Sequence, residues 1–202
     1  MMKIGLDIDN SILDYSRPLA LAAFGILGLK LPRGVTKQKA KLIIVNHAGE
    51  PAWTRLQGEI YGDYSRFSSL YAGLTNFLVR LWEVGHQPIL ISHKTQFAIA
   101  GGKTDLRQHA MLNLDRLGLF GLREDFIVPD QVIFCETEEQ KIREIDTSGV
   151  SVFIDDLAKV LVRISSRVEG IHIHCDGDHE HEHFFRCVNS WDEIQCESLE
   201  RR

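Results

Sequence analysis

The stretch Lys3-Ile4-Gly5-Leu6-Asp7-Ile8-Asp9-Asn10-Ser11 is apolar until two aspartates arrive two residues apart. A short, almost continuous apolar run of this kind reads as a strand covered on both faces of a parallel sheet. Residues i and i+2 of an extended chain share a face, and the ligand crevice of such a sheet lies beyond the carboxyl ends of its strands. Asp7 and Asp9 are therefore expected to project into a crevice. Two carboxylates that close raise one another's pKa unless a cation lies between them. Mg²⁺, a hard ion that prefers oxygen ligands and keeps several waters, is the natural candidate. Taken alone, the same pair also reads as two acids that end a strand and open a turn.

Four further runs extend the pattern: Pro88 to Ile91, Gln131 to Phe134, Val150 to Ile154 and Gly170 to Ile173. Helix-period segments alternate with them. Leu74, Phe77, Leu78, Leu81 and Trp82 recur at three and four before Gly85, a residue type that commonly ends helices. Thr104 is a candidate N-cap for a helix that buries Leu106, Ala110, Leu114 and Leu117 and stops at Gly118. Thr137 followed by Gln140 reads as a capping box. A fourth helix is expected from Leu157 to Ser165, and a last short one is capped by Ser190 with Glu193. Alternation of this sort predicts right-handed βαβ units. The expected fold is thus α/β, with a doubly wound, mainly parallel five-stranded sheet.

One interval departs from the alternation. No convincing strand appears from Asp14 to Tyr71, whereas Pro18 to Leu27, Thr36 to Asn46 and Pro51 to Tyr61 suit helices separated by Pro or Gly. The expected organisation is a core of 1–13 and 72–202 with a small helical insertion, 14–71, after the first strand.

Composition narrows the function classes. At 202 residues, with 44% hydrophobic and 25% charged residues, the chain is long enough to bury a core and too ordinary for a disordered or fibrous reading. Net charge is −5 with no basic block, which argues against a nucleic-acid polymer or an anionic membrane as partner. The longest apolar stretch, Leu19 to Leu29, is too short to span a bilayer, and Asp7 and Asp9 disfavour a signal peptide. Cys135, Cys175, Cys187 and Cys196 show no regular spacing and read as free thiols in a reducing compartment. A cytoplasmic location is expected, and the oligomeric state is left open.

The run Val150-Ser151-Val152-Phe153-Ile154-Asp155-Asp156 repeats the opening motif, an apolar strand delivering two acids. By itself, Asp156 reads equally as a cap on the helix beginning at Leu157. Two adjacent strands ending in paired acids would gather about four carboxylates, an arrangement that stability disfavours without bound metal. Ile89-Leu90-Ile91-Ser92-His93-Lys94 brings a hydroxyl and backbone N–H groups to the same crevice edge, groups that suit a phosphate oxygen. Lys141 lies on the capped helix, 14 positions before Asp155. A helical lysine and a strand-end serine are each ordinarily surface residues.

With these positions in order, the chain resembles the haloacid dehalogenase-like hydrolase superfamily. Asp7-Ile8-Asp9-Asn10-Ser11 matches its DxDx(T/V) motif, with Ser11 where Thr or Val is usual. Ser92, Lys141 and the Asp155-Asp156 pair match the other three. The helical insertion is similar in position to the family's C1-type cap, and Ile91 to Leu112 looks like the nucleotidase branch. The resemblance covers essentially the whole chain. It implies a Mg²⁺-dependent phosphate-monoester hydrolase acting on a small phosphorylated metabolite, a nucleotide or sugar phosphate. Asp7 would be the nucleophile and Asp9 the acid and base. Mg²⁺ would be held by Asp7, the Asp9 carbonyl, Asp155 and Asp156, and Ser92 and Lys141 would hold phosphoryl oxygens. Ser11, His93 and Lys94 are candidates for the substrate side, although His93 and Lys94, like Arg107, also fit a solvated surface.

Two features fall outside that scheme. Asn46, His47, Trp53, Arg55, Gln57, Tyr61 and Tyr64 give the insertion polar and aromatic groups that suit packing or substrate recognition. His172, His174, His179, His181 and His183, threaded with Asp176, Asp178, Glu180 and Glu182, form a histidine tract. Such tracts can bind zinc or nickel, but no cysteine holds a fixed spacing to it, and a solvated loop has the same composition. The alternatives to a phosphatase are a catalytically silent phospholigand-binding module and a metal-binding protein using this tract.

Overall fold

The computed structural model describes residues 1–100, 103–175 and 184–199. His179, His181 and His183, with the acids among them, lie outside the described residues. The strands are β1 (Lys3–Leu6), β2 (Leu13–Asp14), β3 (Ser69–Leu70), β4 (Gln87–His93), β5 (Val132–Cys135), β6 (Val150–Asp155), β7 (Glu169–Ile173) and β8 (Phe185–Val188). The helices are α1 (Ser16–Leu27), α2 (Lys37–Ala48), α3 (Glu50–Tyr61), α4 (Leu74–Glu83), α5 (Leu106–Arg116), α6 (Glu138–Thr147) and α7 (Ala158–Leu161).

Six strands form one sheet in the order β5-β4-β1-β6-β7-β8, and every pairing in it is parallel. The expected count of five misses β8. That strand is short, lies at the edge and carries Arg186, so only Phe185 and Val188 are fully buried. The order also fixes a reversal at β1, with β4 and β5 to one side and β6 to β8 on the other. Crevices open at such reversals. In a separate two-stranded ladder β2 pairs with β3, and two-residue strands are too short to leave a pattern in the sequence.

The chain forms two compact units. One comprises Met1–Leu13, Leu70–Lys94 and Gly118–Arg202, and the other Asp14–Ser69 and Thr95–Leu117. In the first unit, Ile91, Ile142, Ile145, Val150, Phe153, Val160 and Leu161 belong to a cluster buried under α6 and α7. Gly5 faces this cluster, and a Cβ there would lie 2.4 Å from the Phe153 ring. The missing side chain is what lets β6 pack its phenylalanine over β1. Ile4 and Leu6 turn to the other face, and the Phe77 and Trp191 rings meet at a tilt of 40° with a centroid distance of 4.8 Å. Gly85 takes a left-handed φ of 75° at the end of α4, and the next N–H, of His86, returns to the Leu81 carbonyl, as in a glycine-terminated helix.

Helix starts follow local hydrogen-bond chemistry, with corrections to the expected caps. Thr137 accepts from the Gln140 N–H, while Gln140 Oε1 accepts from Glu136 rather than from the cap residue itself. Asp105, not Thr104, caps α5 by accepting from Gln108 N–H at 2.9 Å. The helix expected from Leu157 to Ser165 shortens to α7, and Asp155 rather than Asp156 accepts from the Leu157 N–H. Ser190 makes no cap bond to the backbone of the turn Trp191–Glu193, because its hydroxyl turns to the Glu193 carboxylate.

In the second unit α1, α2 and α3 pack together, with α5 against α3 and the 3₁₀ turn Asp63–Phe67. Asn113 on α5 donates to Ser65 Oγ at 2.8 Å, and Arg116 donates to the Ser68 carbonyl at 3.0 Å. These bonds bind a segment from after β4 to the helices of the insertion.

Candidate active site

Register alone puts the two acid-ended strands side by side. Leu6 of β1 pairs with Ile154 of β6, so the residues that follow, Asp7 and Asp155, emerge as neighbours, and Asp7 N–H donates to the Ile154 carbonyl. Both aspartates are buried, and one carboxylate oxygen from each of Asp7, Asp155 and Asp156 lies within 4.8 Å of the others. Lys141 reaches from α6 to stand between two of them, with Nζ 2.6 Å from Asp7 Oδ1 and 2.6 Å from Asp155 Oδ2. Its side chain is 2% exposed, which overturns the surface reading of a helical lysine.

The loop after β1 folds back on itself. Asn10 adopts φ 63°, a conformation asparagine tolerates better than most residues, and Ile12 and Leu13 both donate to the Ile8 carbonyl. This returns Ser11 to Asp7, where its hydroxyl donates to Oδ2 at 3.2 Å and accepts from Asp156 N–H at 3.1 Å. The Ser11 carbonyl accepts from the buried Trp191 indole. Ser11 thus braces the two strand ends against each other.

Asp9 is held separately. Lys94, buried just past β4, contacts Asp9 Oδ2 at 2.7 Å, while Asp9 Oδ1 is buried without a hydrogen-bond partner. The Lys94–Asp9 pair was beyond reach of the sequence, because nothing local links positions on separate strands. Ser92 Oγ is likewise buried and unpartnered, and His93 is exposed. Of the expected site residues, Asp7, Ser11, Lys141, Asp155 and Asp156 share one network, Asp9 joins Lys94, and Ser92 and His93 stand outside these bonds.

Charge in this cluster is unbalanced. Four carboxylates face two ammonium groups, leaving the complement of one divalent cation. Burial pushes Asp7 up from its ordinary 3.8 to about 7, with Asp155 and Asp9 adding to the rise and Lys141 opposing it. Burial alone would lower Lys141, but Asp155 and Asp7 hold it above the usual lysine range. The two directions are consistent when Lys141 stays charged and the crowded acids lack enough positive charge. The donor set fits a hard, oxygen-seeking ion.

No family model matches the chain, and no curated protein matches it. Solved structures do. A HAD hydrolase of family IA, variant 3, from Entamoeba histolytica superposes with a TM-score of 0.60 at 15% identity, over 98% of this chain and 97% of that one. The HAD-hydrolase YfnB from Bacillus subtilis, described as bound to magnesium, gives 0.60 at 12% identity over 98% of each chain. A HAD family hydrolase from Deinococcus radiodurans, with bound phosphate and sodium, gives 0.58 at 14% identity over 99% of this chain and 96% of that one. The chain has the haloacid dehalogenase-like fold. Among the described residues no helix is long and apolar enough to cross a membrane.

Proposed function

We propose that the protein is a Mg²⁺-dependent phosphate-monoester hydrolase acting on a small phosphorylated metabolite, with a nucleotide or sugar phosphate as the leading class. The observation that carries this reading is the convergence of Asp7, Asp155 and Asp156 around Lys141 beside a separately held Asp9. Asp7, Asp155, Asp156 and, by resemblance, the Asp9 carbonyl would hold magnesium, which would supply charge neutralisation between an anionic nucleophile and an anionic substrate.

The rest of the reaction belongs to the side chains. An Asp7 oxygen attacks phosphorus, forming an aspartyl-phosphate as the bond to the ester oxygen breaks. Asp9 gives the leaving oxygen its proton, then takes one from the water that attacks the acyl phosphate, releasing inorganic phosphate and restoring Asp7. Lys94 fixes the Asp9 carboxylate through Oδ2, which leaves Oδ1 to handle the proton. Lys141 holds the Asp7 carboxylate in place, and with Ser92 it is suited to binding phosphoryl oxygens. The segment 14–71, read as a cap, would exclude water and select the leaving group.

A panel of nucleoside monophosphates, sugar phosphates and a generic aryl phosphate, assayed for phosphate release with Mg²⁺, tests the function. Release from at least one ester, abolished by chelation, is expected. Silence across the whole panel in the presence of Mg²⁺ overturns the reading.

Metal should also govern stability. A carboxylate whose folded pKa is raised favours the folded state below its unfolded pKa, and that contribution is lost as pH climbs through the folded value. Through Asp7 the metal-free protein is expected to lose stability as pH rises from 3.8 to about 7. Added Mg²⁺ should raise the unfolding temperature more at about pH 8 than at about pH 5, where a proton already occupies Asp7. Thermal unfolding at both pH values, with and without the ion, gives the comparison.

A further inference from the structure

A second cluster of metal-ligating groups lies on the far edge of the sheet. His172 on β7 pairs directly with Cys187 on β8, so their side chains share a face. Cys175, two residues past β7, is drawn to the same place because its N–H donates to the Val188 carbonyl. A ring nitrogen of His172 and both sulfurs lie within 4.8 Å of one another, and the sulfurs are 2.9 Å apart. His172 and Cys175 are 7% and 5% exposed. His174 is not part of the cluster. β7 ends at Ile173, and His174 takes φ 60° and stacks on Tyr71 at 3.9 Å between ring centroids.

The imidazole is the informative member. His172 Nε2 lies 3.0 Å from the Asp156 carbonyl, and Nδ1 is buried with no hydrogen-bond partner. A histidine that donates from one nitrogen to a backbone carbonyl is fixed in the tautomer that leaves a lone pair on the other. Metal-bound histidines are held in this way. A disulfide between the cysteines would use the sulfurs and leave that lone pair buried and unmet.

We propose that His172 Nδ1, Cys175 Sγ and Cys187 Sγ form a transition-metal site, with Zn²⁺ as the ion that a set of one imidazole and two thiolates favours. Zinc bonds of about 2.3 Å at tetrahedral angles hold two sulfurs about 3.8 Å apart, so uptake parts the cysteine side chains by about 1 Å. Both thiols deposit their protons in solvent on binding. Water completes the fourth position in the minimal site. The ion staples the edge strand β8 to β7, and the same imidazole touches the backbone of Asp156. The site is independent of the phosphatase reading and of His179, His181 and His183, which lie between the cysteines in sequence but outside the described residues.

Titration of the reduced full chain with Co²⁺, followed by displacement with Zn²⁺, tests the proposal. A thiolate-to-cobalt charge-transfer band saturating at one ion per chain, with two protons released, is expected. Cys175→Ser and Cys187→Ser should each remove most of the band and weaken Zn²⁺ binding by at least about tenfold, and His172→Ala should weaken it comparably. Combined replacement of His179, His181 and His183 by Ala should leave the band in place. The parent spectrum requires no variant to fold. Absence of the band in reduced parent protein overturns the site. So does metal binding that survives both serine variants and vanishes when His179, His181 and His183 are replaced.

Discussion

Asp7→Asn is expected to abolish ester hydrolysis, by roughly 10⁴ to 10⁶-fold in kcat, the scale on which loss of a covalent nucleophile acts. The same change should leave the metal-free protein at about pH 8 no less stable than the parent. Asparagine mimics the protonated carboxyl in shape and charge, and Asp7 is already held near 7 by burial and by its acidic neighbours. Lys141 keeps Asp155 as its partner at 2.6 Å. The decline in stability between pH 4 and 7 should accordingly flatten in the variant. Phosphate release and urea unfolding on the same preparation separate lost chemistry from lost fold. Retention of activity by Asp7→Asn would falsify the nucleophile assignment.

Lys141→Met is expected to cost about 3–5 kcal/mol of unfolding free energy above pH 7, because removing one partner of a buried ion cluster strands the charges it balanced. Asp7 and Asp155 would face each other with no cation between them. The loss should shrink toward pH 5, where Asp7, raised to about 7, takes up a proton, and Mg²⁺ should recover part of it at higher pH. Urea unfolding at the two pH values, with and without Mg²⁺, reads all of these effects. A loss that is the same at both pH values would mean that Lys141 acts through packing against the Phe153 ring, 5.3 Å from Nζ, rather than through charge.

Much of this site was legible because the sheet is parallel and buried. Apolar runs ending in acids located Asp7, Asp9, Asp155 and Asp156, since the point where hydrophobicity stops on a covered strand is also the point where it reaches the crevice. What the sequence could not carry were relations between strands. Register determined that Asp7 meets Asp155, and that Lys94 is spent on Asp9. β8 escaped notice because an edge strand needs only two buried residues, and Cys175 and Cys187 show no ligand spacing to His172 until β7 and β8 are paired. The cap positions shifted by a residue where two polar side chains competed, as Thr104 and Asp105 did.

The bonds that organise the acidic cluster join positions far apart in the chain. Lys141 to Asp7 joins positions 134 apart, and Asp156 to Ser11 joins positions 145 apart. Contacts so distant along the chain are closed late and slowly. During synthesis, β1 leaves the ribosome long before β6 exists to pair with it. Asp9 can meet Lys94, and β1 its neighbour β4, once 94 of the 202 residues are made, whereas Asp7 has neither Lys141 nor β6 until about three-quarters of the chain exists.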